Sequence, residues 1–237
     1  MNNRLIKQIF YGGFYLLLVG LVAFYFYYIF APETPPPSIT EFLKPLTVSN
    51  ERVVLAAPGV VSLSAKVLNP NLDFGAERFE YIWELYDAGG NSLQILRGES
   101  FIYPGEIKYI ASSDIGEVVA DTIGVRLVLG DMRDWNWLPS VSFSKPNIVP
   151  VRLGTAVLGN KVFGAISNKE AFTLSRVRIV GILFDSSGLE LAISETELRD
   201  VRAFEERSFS LTFPRLSDVA AVDFSKTEIF AETKLIR

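Results

Sequence analysis

The hydrophobic positions of this chain are concentrated in one run near its start. Residues 10–30 form 21 consecutive residues without a charge, and most of them are Leu, Val, Phe or Tyr. At a rise of 1.5 Å per residue, an α-helix of this length is about 31 Å long, which matches a hydrocarbon core of about 30 Å. A buried core helix is the alternative, but such helices rarely reach this length without a polar residue. The pattern predicts a transmembrane helix over residues 10–30.

The charges on either side of this run predict its orientation. Arg4 and Lys7 precede it, whereas the first charged residue after it is Glu33. The positive-inside rule places residues 1–9 in the cytoplasm and the rest of the chain outside, as in a single-pass protein of the cell membrane. A cleaved signal peptide is the competing interpretation, but bulky residues occupy positions 28–30, where a cleavage site needs small ones. An uncleaved signal anchor is predicted.

After residue 30 the long apolar run gives way to a linker and then to short alternating runs. Residues 31–41 include three consecutive prolines and predict an extended spacer. Beyond them, apolar and polar residues alternate over short runs that Gly, Pro, Asn and Asp interrupt, which is typical of strands and turns. In residues 79–85 the apolar side chains share one strand face, while Glu80 and Glu84 fall on the other. The region after residue 41 is predicted to be all-β.

An internal repeat divides this β region into two modules. Four features recur in the same order at offsets of about 98 to 101 residues, which favours a true repeat over chance. The paired segments are 42–45 with 143–146, Asn69 or Asn71 with Asn168, 85–90 with 183–188, and 104–106 with 204–206. The predicted modules span residues 42–141 and 143–237.

The length of each module predicts its architecture. About seven short strands within about 100 residues, with turns every 8–12 residues, indicate an immunoglobulin-like β-sandwich. The predicted fold is therefore two tandem immunoglobulin-like β-sandwiches preceded by one N-terminal transmembrane α-helix. Residues 87–91 and 185–188 are interpreted as tight turns between strands. Calcium binding by their Asp and Asn oxygens is the alternative, but the spacing of an EF-hand is absent.

The same residues resemble a known domain family. Residues 83–87, Trp-Glu-Leu-Tyr-Asp, resemble the motif that names the FxLYD domain, with Trp in place of Phe. The preceding Asn and residues 103–106, Tyr-Pro-Gly-Glu, are similar to the layout of that family, whereas residues 181–185 of the second module depart from the motif. Residues 69–71 are loosely similar to a LEA14-like sandwich. The resemblance implies an immunoglobulin-like sandwich of bacterial and archaeal envelope or exported proteins, without an established activity.

Composition argues against catalysis. The 237 residues include no Cys and no His, which excludes thiol nucleophiles, Ser-His-Asp triads and thiolate or imidazole metal sites. Ser62 and Lys66 lie in an alternating strand without a Ser-x-x-Lys motif, and Glu80 and Glu84 are predicted to be roughly 13 Å apart, too far for paired-carboxylate chemistry. We therefore predict that the protein is not an enzyme and has no cofactor, metal or small-molecule substrate.

The charge of the exported part bears on its partners. It carries all 27 acidic residues and 21 of the 23 basic ones, so its formal charge is 21 − 27 = −6. A negative charge without a basic cluster argues against nucleic acid as a partner. The predicted partners are the membrane, through one span, and other envelope proteins.

Residues 131–139 are the best candidate for a contact surface. They contain Trp135 and Trp137 beside Arg133, and exposed tryptophans are enriched in binding hot spots and stack on sugar rings. The alternative, which we prefer, is that both tryptophans seal the joint between the modules.

Three functions are compatible with these predictions. The first, which is the function we predict, is a non-catalytic, membrane-anchored binding or scaffold protein of the cell envelope. The second is an accessory subunit of a membrane machine, such as a secretion or pilus apparatus, which the aromatic-rich span favours. The third is binding of wall polysaccharide through Trp135 and Trp137.

Overall fold

A computed structural model of the chain describes residues 3–30, 39–57, 60–112, 122–158, 161–213 and 222–236. The chain divides into two compact units, Met1–Phe42 and Leu43–Arg237. The first unit contains one α-helix, and all described strands belong to the second. The prediction of a mostly β protein with one N-terminal helix is confirmed.

Helix α1 runs from Asn3 to Phe30 and includes the whole predicted span. Every described side chain between Phe10 and Phe26 is exposed. Among the described residues, no helix proves both long enough and apolar enough to cross a membrane. Of the predicted linker, Ile39–Glu41 form a short 3-10 turn, and residues 31–38, with all three prolines, lie outside the described residues.

The described part of the second unit forms thirteen strands. Their bounds are β1 Thr47–Ala57, β2 Val60–Leu68, β3 Phe74–Tyr86, β4 Ser92–Ile102, β5 Ile107–Ser112, β6 Gly124–Leu129, β7 Asn136–Pro139, β8 Ile148–Leu158, β9 Lys161–Asn168, β10 Leu174–Phe184, β11 Glu190–Val201, β12 Glu206–Thr212 and β13 Glu228–Glu232. Two further 3-10 turns are Met132–Asp134 and Phe224–Lys226.

The strands pair in four antiparallel sheets, and the pairing repeats. Sheet A has the order β1-β2-β5, and sheet B has the order β4-β3-β6 with β7 also paired to β3. Sheet C has the order β8-β9-β12, and sheet D has the order β11-β10-β13. Strands β8 to β13 thus pair as β1 to β6 do. We call β1–β7 the first half and β8–β13 the second half; their folding as separate domains stays a prediction.

The apolar side chains form three clusters between these sheets. One lies between sheets A and B, one between sheets C and D, and a third joins sheet A to sheet D, so the sheets stack in the order B, A, D, C. Strand β10 contributes Val177 and Ile179 to the second cluster and Val180 and Ile182 to the third. Successive strand residues face opposite sides, so residues 179–184 of β10 are buried on both faces, which explains why this stretch contains no polar side chain.

A buried asparagine recurs at the same place in each half. The side-chain amide of Asn69 donates to two main-chain carbonyls at 2.8 and 2.9 Å, and that of Asn168 donates to three at 2.9 to 3.2 Å. Both residues are fully buried. These bonds tie the start of the third strand of each half to the turn before its fifth strand.

The turn before the fifth strand shows that one predicted match between the two halves is off by one residue. Glu106 and Glu205 each accept a hydrogen bond from the main-chain N–H three residues earlier, at 3.0 and 2.7 Å. Gly105 and Phe204 both have a positive φ, of 64° and 58°. Residues 104–106 therefore correspond to 203–205, one residue earlier than the predicted 204–206. The prediction matched the acidic residues, whereas the backbone conformation decides the register.

Candidate functional site

The two tryptophans of the predicted contact surface have different environments. Trp137 is only 8% exposed, belongs to the core between sheets A and B, and donates its indole N–H to the Met132 carbonyl at 2.9 Å. Trp135 is half-buried and lies 5.4 Å from the ring of Phe79 and 5.7 Å from that of Trp137. Arg133 is exposed and pairs with Asp131 at 2.6 Å. All these contacts lie within the first half, so the interpretation that both tryptophans seal the joint is corrected.

The two Asp turns are held by hydrogen bonds within each turn. Asp87 Oδ1 accepts from the main-chain N–H groups of Gly89 and Asn91, both at 2.8 Å. Asp185 Oδ1 accepts from Ser187 and Leu189 in the same way. These donors occupy the oxygens that calcium would need, which favours the turn interpretation. Among the described residues, no group of three or more acidic side chains is placed to hold a metal ion.

The two carboxylates considered for catalysis have structural partners, whereas the Ser62 hydroxyl is buried without a hydrogen-bond partner among the described residues. Glu84 accepts a hydrogen bond from Tyr86, and Glu80 lies 3.5 Å from Arg78. Ser64 is fully buried and donates to Glu190 of the second half at 2.5 Å. The face of β2 that carries Ser64 therefore contributes polar contacts to the joint between the halves.

A concave site of the described surface is a cleft between the two halves. It has a volume of about 690 Å³ and is lined by residues of β3, β4, β5, β10, β11 and β13 and by the residues after β13. Tyr81 and Phe101 of the first half line one side, and Arg176 and Arg199 of the second half line the other. Sequence reasoning did not identify this cleft, since its walls come from segments far apart along the chain.

A buried cluster of charges lies at this cleft. The Lys108 side chain is only 2% exposed; its Nζ lies 2.6 Å from Glu232 Oε2 and 3.4 Å from the centre of the Phe101 ring. Arg178 Nη1 lies 2.8 Å from the other oxygen of Glu232. A lysine of the first half and an arginine of the second half thus share one carboxylate. Glu195, which pairs with Arg178 at 2.5 Å, supplies a second negative charge.

The environment of this cluster shifts two pKa values in opposite directions. Burial lowers the pKa of the Lys108 ammonium, and the Glu232 carboxylate opposes that change. Burial would also lower the pKa of Arg178, but the carboxylates of Glu232 and Glu195 outweigh it and raise the pKa. Two cationic side chains, Lys108 and Arg178, thus face the two carboxylates of Glu232 and Glu195 within the cluster.

The residues after β13 complete one wall of the cleft. The hydroxyl of buried Tyr103 donates to the Thr233 carbonyl at 2.6 Å and accepts from the Leu235 N–H at 2.9 Å. Lys234 pairs with Glu77 at 2.8 Å. These contacts attach the chain that follows the second half to the first half.

Comparison of the chain with protein-family models and with curated proteins finds no match. The resemblance of residues 83–87 to the FxLYD motif therefore stays a prediction.

Proposed function

We propose that the protein is a membrane-anchored, extracytoplasmic binding or scaffold protein of the cell envelope, without catalytic turnover. In this proposal α1 is the single membrane span, and each half is an immunoglobulin-like sandwich of the FxLYD-like kind. The anchor holds a rigid β unit outside the membrane, and the cleft and strand edges of that unit contact envelope proteins.

The apolar surface of α1 is the observation that carries the proposal. Seventeen consecutive side chains from Phe10 to Phe26 are exposed and uncharged, so the helix is apolar on all sides. Exposed apolar surface costs about 25 cal/mol per Å² in water, and a helix that is apolar all round is typical of a membrane or a buried site. Arg4 and Lys7 before this segment support an N-terminus in the cytoplasm.

The joint between the halves supports a binding role for the β unit. The buried pair of Lys108 and Glu232 and the contacts of Tyr103 fix the two sides of the cleft relative to each other. A site that is already rigid loses little conformational entropy when a partner binds. The cleft is lined by charged side chains of both signs, so a partner surface with complementary charges can pair with them.

Cysteine labelling in right-side-out membrane vesicles tests the anchor and its orientation, because the chain has no cysteine of its own. Ser92→Cys lies at an exposed position of β4, and we expect a membrane-impermeant maleimide to label it in intact vesicles. Asn3→Cys is the matched control, and it should react only after the vesicles are opened. Labelling of Asn3→Cys alone in intact vesicles would contradict the orientation.

A charged variant of the span provides a second test. Leu17→Arg together with Val19→Arg should move the protein from the membrane pellet to the supernatant after alkaline extraction, because charges are costly in the hydrocarbon region. An unmodified chain that is itself released by alkaline extraction would refute the anchor.

The aromatic content of the span favours a second candidate, an accessory subunit of a membrane machine whose helix makes specific contacts. Replacing residues 10–30 with polyleucine keeps an anchor and removes those contacts. Under our proposal the crosslinked partners of the β unit stay the same after this replacement. Their loss would favour the accessory subunit.

A further inference from the structure

A groove on the first half lies apart from the cleft between the halves. It has a volume of about 410 Å³ and is formed by β3 together with the loop that carries residues 130–136. Its lining includes Trp135, the acidic residues Glu80 and Asp134, Asn136 and the cationic residue Arg78. An aromatic surface thus lies next to groups that accept hydrogen bonds.

The Trp135 ring is held rigidly. It packs on Phe79 and Trp137, and Trp137 is itself fixed in the core by its hydrogen bond to Met132. The Trp135 indole N–H has no hydrogen-bond partner among the described residues. The position that a Cβ would take at Gly130 lies 3.5 Å from the indole nitrogen, so the absence of a side chain there leaves room beside the N–H. Trp135 therefore contributes a half-buried ring to the lining of the groove, with an indole N–H that is not bonded to a described residue.

The charges of the groove are already largely paired. Asp131 binds the Arg133 side chain and main-chain N–H, and these bonds lower the pKa of Asp131 to about 2. Glu80 lies 3.5 Å from Arg78. A carboxylate keeps lone pairs that can accept further hydrogen bonds after one such contact. The remaining lone pairs of these carboxylates suit hydrogen bonds from neutral hydroxyl groups better than an ion pair with a further cation.

We propose that this groove binds a neutral saccharide, with one sugar ring stacked on Trp135 and its hydroxyls bonded to Asp134, Asn136 and the indole N–H. A pyranose combines an apolar face with hydroxyl groups on its rim, which matches a flat ring surrounded by acceptors. The proposal deepens the proposed binding function and rests on it, because an extracytoplasmic groove would face the polysaccharides of the envelope. Only Trp135 contacts the sugar in this proposal, whereas the sequence predicted contacts from both tryptophans, because Trp137 is buried.

Titration of the full chain in detergent micelles with chitotetraose, cellotetraose and maltotetraose tests the proposal, read by tryptophan fluorescence and calorimetry. We expect at least one tetrasaccharide to bind with a millimolar or tighter Kd. Trp135→Ala should weaken binding tenfold or more because the stacking surface is lost, and Trp135→Phe should weaken it less. Val141→Ala, at a position that is 85% exposed and does not line the groove, should bind as the unmodified chain does.

Three outcomes would overturn the proposal. The first is that no tetrasaccharide binds at about 10 mM. The second is that a folded Trp135→Ala variant binds the tetrasaccharide as the unmodified chain does. The third is that the groove binds tetralysine and not the saccharides, and that Trp135→Ala abolishes the binding of tetralysine. Thermal unfolding of each variant establishes that it is folded. The labelling experiment on Ser92→Cys is independent, so failure of saccharide binding and failure of the membrane anchor can be distinguished.

Discussion

At the scale of single residues, the equivalent turns of the two halves use different residues in the same conformation. Gly105 has φ 64° and Phe204 has φ 58°. A side chain in this left-handed region costs about 1–2 kcal/mol, whereas glycine adopts it without a steric penalty. Phe204 is 69% exposed, so few contacts offset that cost.

We expect Phe204→Gly to raise the free energy of unfolding by about 0.5–1 kcal/mol. Glycine removes the backbone strain of the folded state, and this gain exceeds the cost of ordering the more flexible glycine on folding. Gly105→Ala is the matched control and should lower the free energy of unfolding by about 1 kcal/mol. Its Cβ would also lie 3.0 Å from Leu72 Cδ2. Urea denaturation measures both changes, and a destabilised Phe204→Gly variant would contradict the argument.

At the scale of elements, the same turn joins the third and fourth strands of each half. In both turns an Asp carboxylate accepts main-chain hydrogen bonds, and a glycine with positive φ follows, Gly90 in one and Gly188 in the other. Hydrogen bonds from the Asn91 side chain and main chain lower the pKa of Asp87, and those from the Ser187 hydroxyl and the Leu189 N–H lower that of Asp185. The ionised carboxylates therefore stabilise the turns.

These shifts predict how stability depends on pH. As the pH falls below about 4, the unfolded carboxyl is protonated before the folded one, so the unfolded state binds more protons and the free energy of unfolding falls. Asp185→Asn should therefore be less stable than the unmodified chain at neutral pH, and this difference should shrink as the pH falls through the folded pKa. Urea denaturation at several pH values measures it. A difference that is constant with pH would contradict the prediction.

At the scale of the whole molecule, the two halves are joined by buried polar contacts as well as by an apolar cluster. Lys108 reaches from sheet A of the first half to Glu232 of sheet D, and Tyr103 holds the residues after β13. Separating the halves would expose the apolar cluster that includes Val180 and Ile182. We therefore infer that the halves unfold together.

Tryptophan fluorescence tests this inference because all three tryptophans, Trp83, Trp135 and Trp137, belong to the first half. Circular dichroism reports strands of both halves. We expect the two signals to follow one transition in urea. Two separate transitions would show that the halves unfold independently.

Removal of the buried lysine should destabilise the joint. We expect Lys108→Ala to lower the free energy of unfolding by about 3 kcal/mol, the lower end of the range for a broken buried pair, because Glu232 keeps its ion pair with Arg178. The control Arg199→Ala removes an exposed pair with Glu197 and should change it by less than about 1 kcal/mol. Equal effects of the two variants would contradict the role of Lys108.

Features that depend on local sequence were predictable. The buried faces of residues 79–85 and 209–213 follow from alternation, because neighbouring strand residues face opposite sides. The two Asp turns and the asparagine that recurs in both halves could also be predicted from the sequence. The packing around Gly181, which stands where the first half has Trp83, was not predictable. A Cβ at Gly181 would lie within 3.2 Å of Leu211 and Phe213, because the side chains of these two residues fill the space.

The sequence by itself determined the long apolar run, the strand periodicity and the repeat of sequence features, because each follows from the order of residues along the chain without knowledge of which segments are in contact. Tertiary structure alone decided which polar side chains are buried. Lys108 and Glu232 resemble any other charged strand residues until sheets A and D pack and bring them together. Trp135 and Trp137 have the same spacing as two residues on one strand face, yet only the packing of sheets A and B buries Trp137 and leaves Trp135 half-exposed. Burial depends on which sheet covers which face, and that is a property of contacts between distant segments.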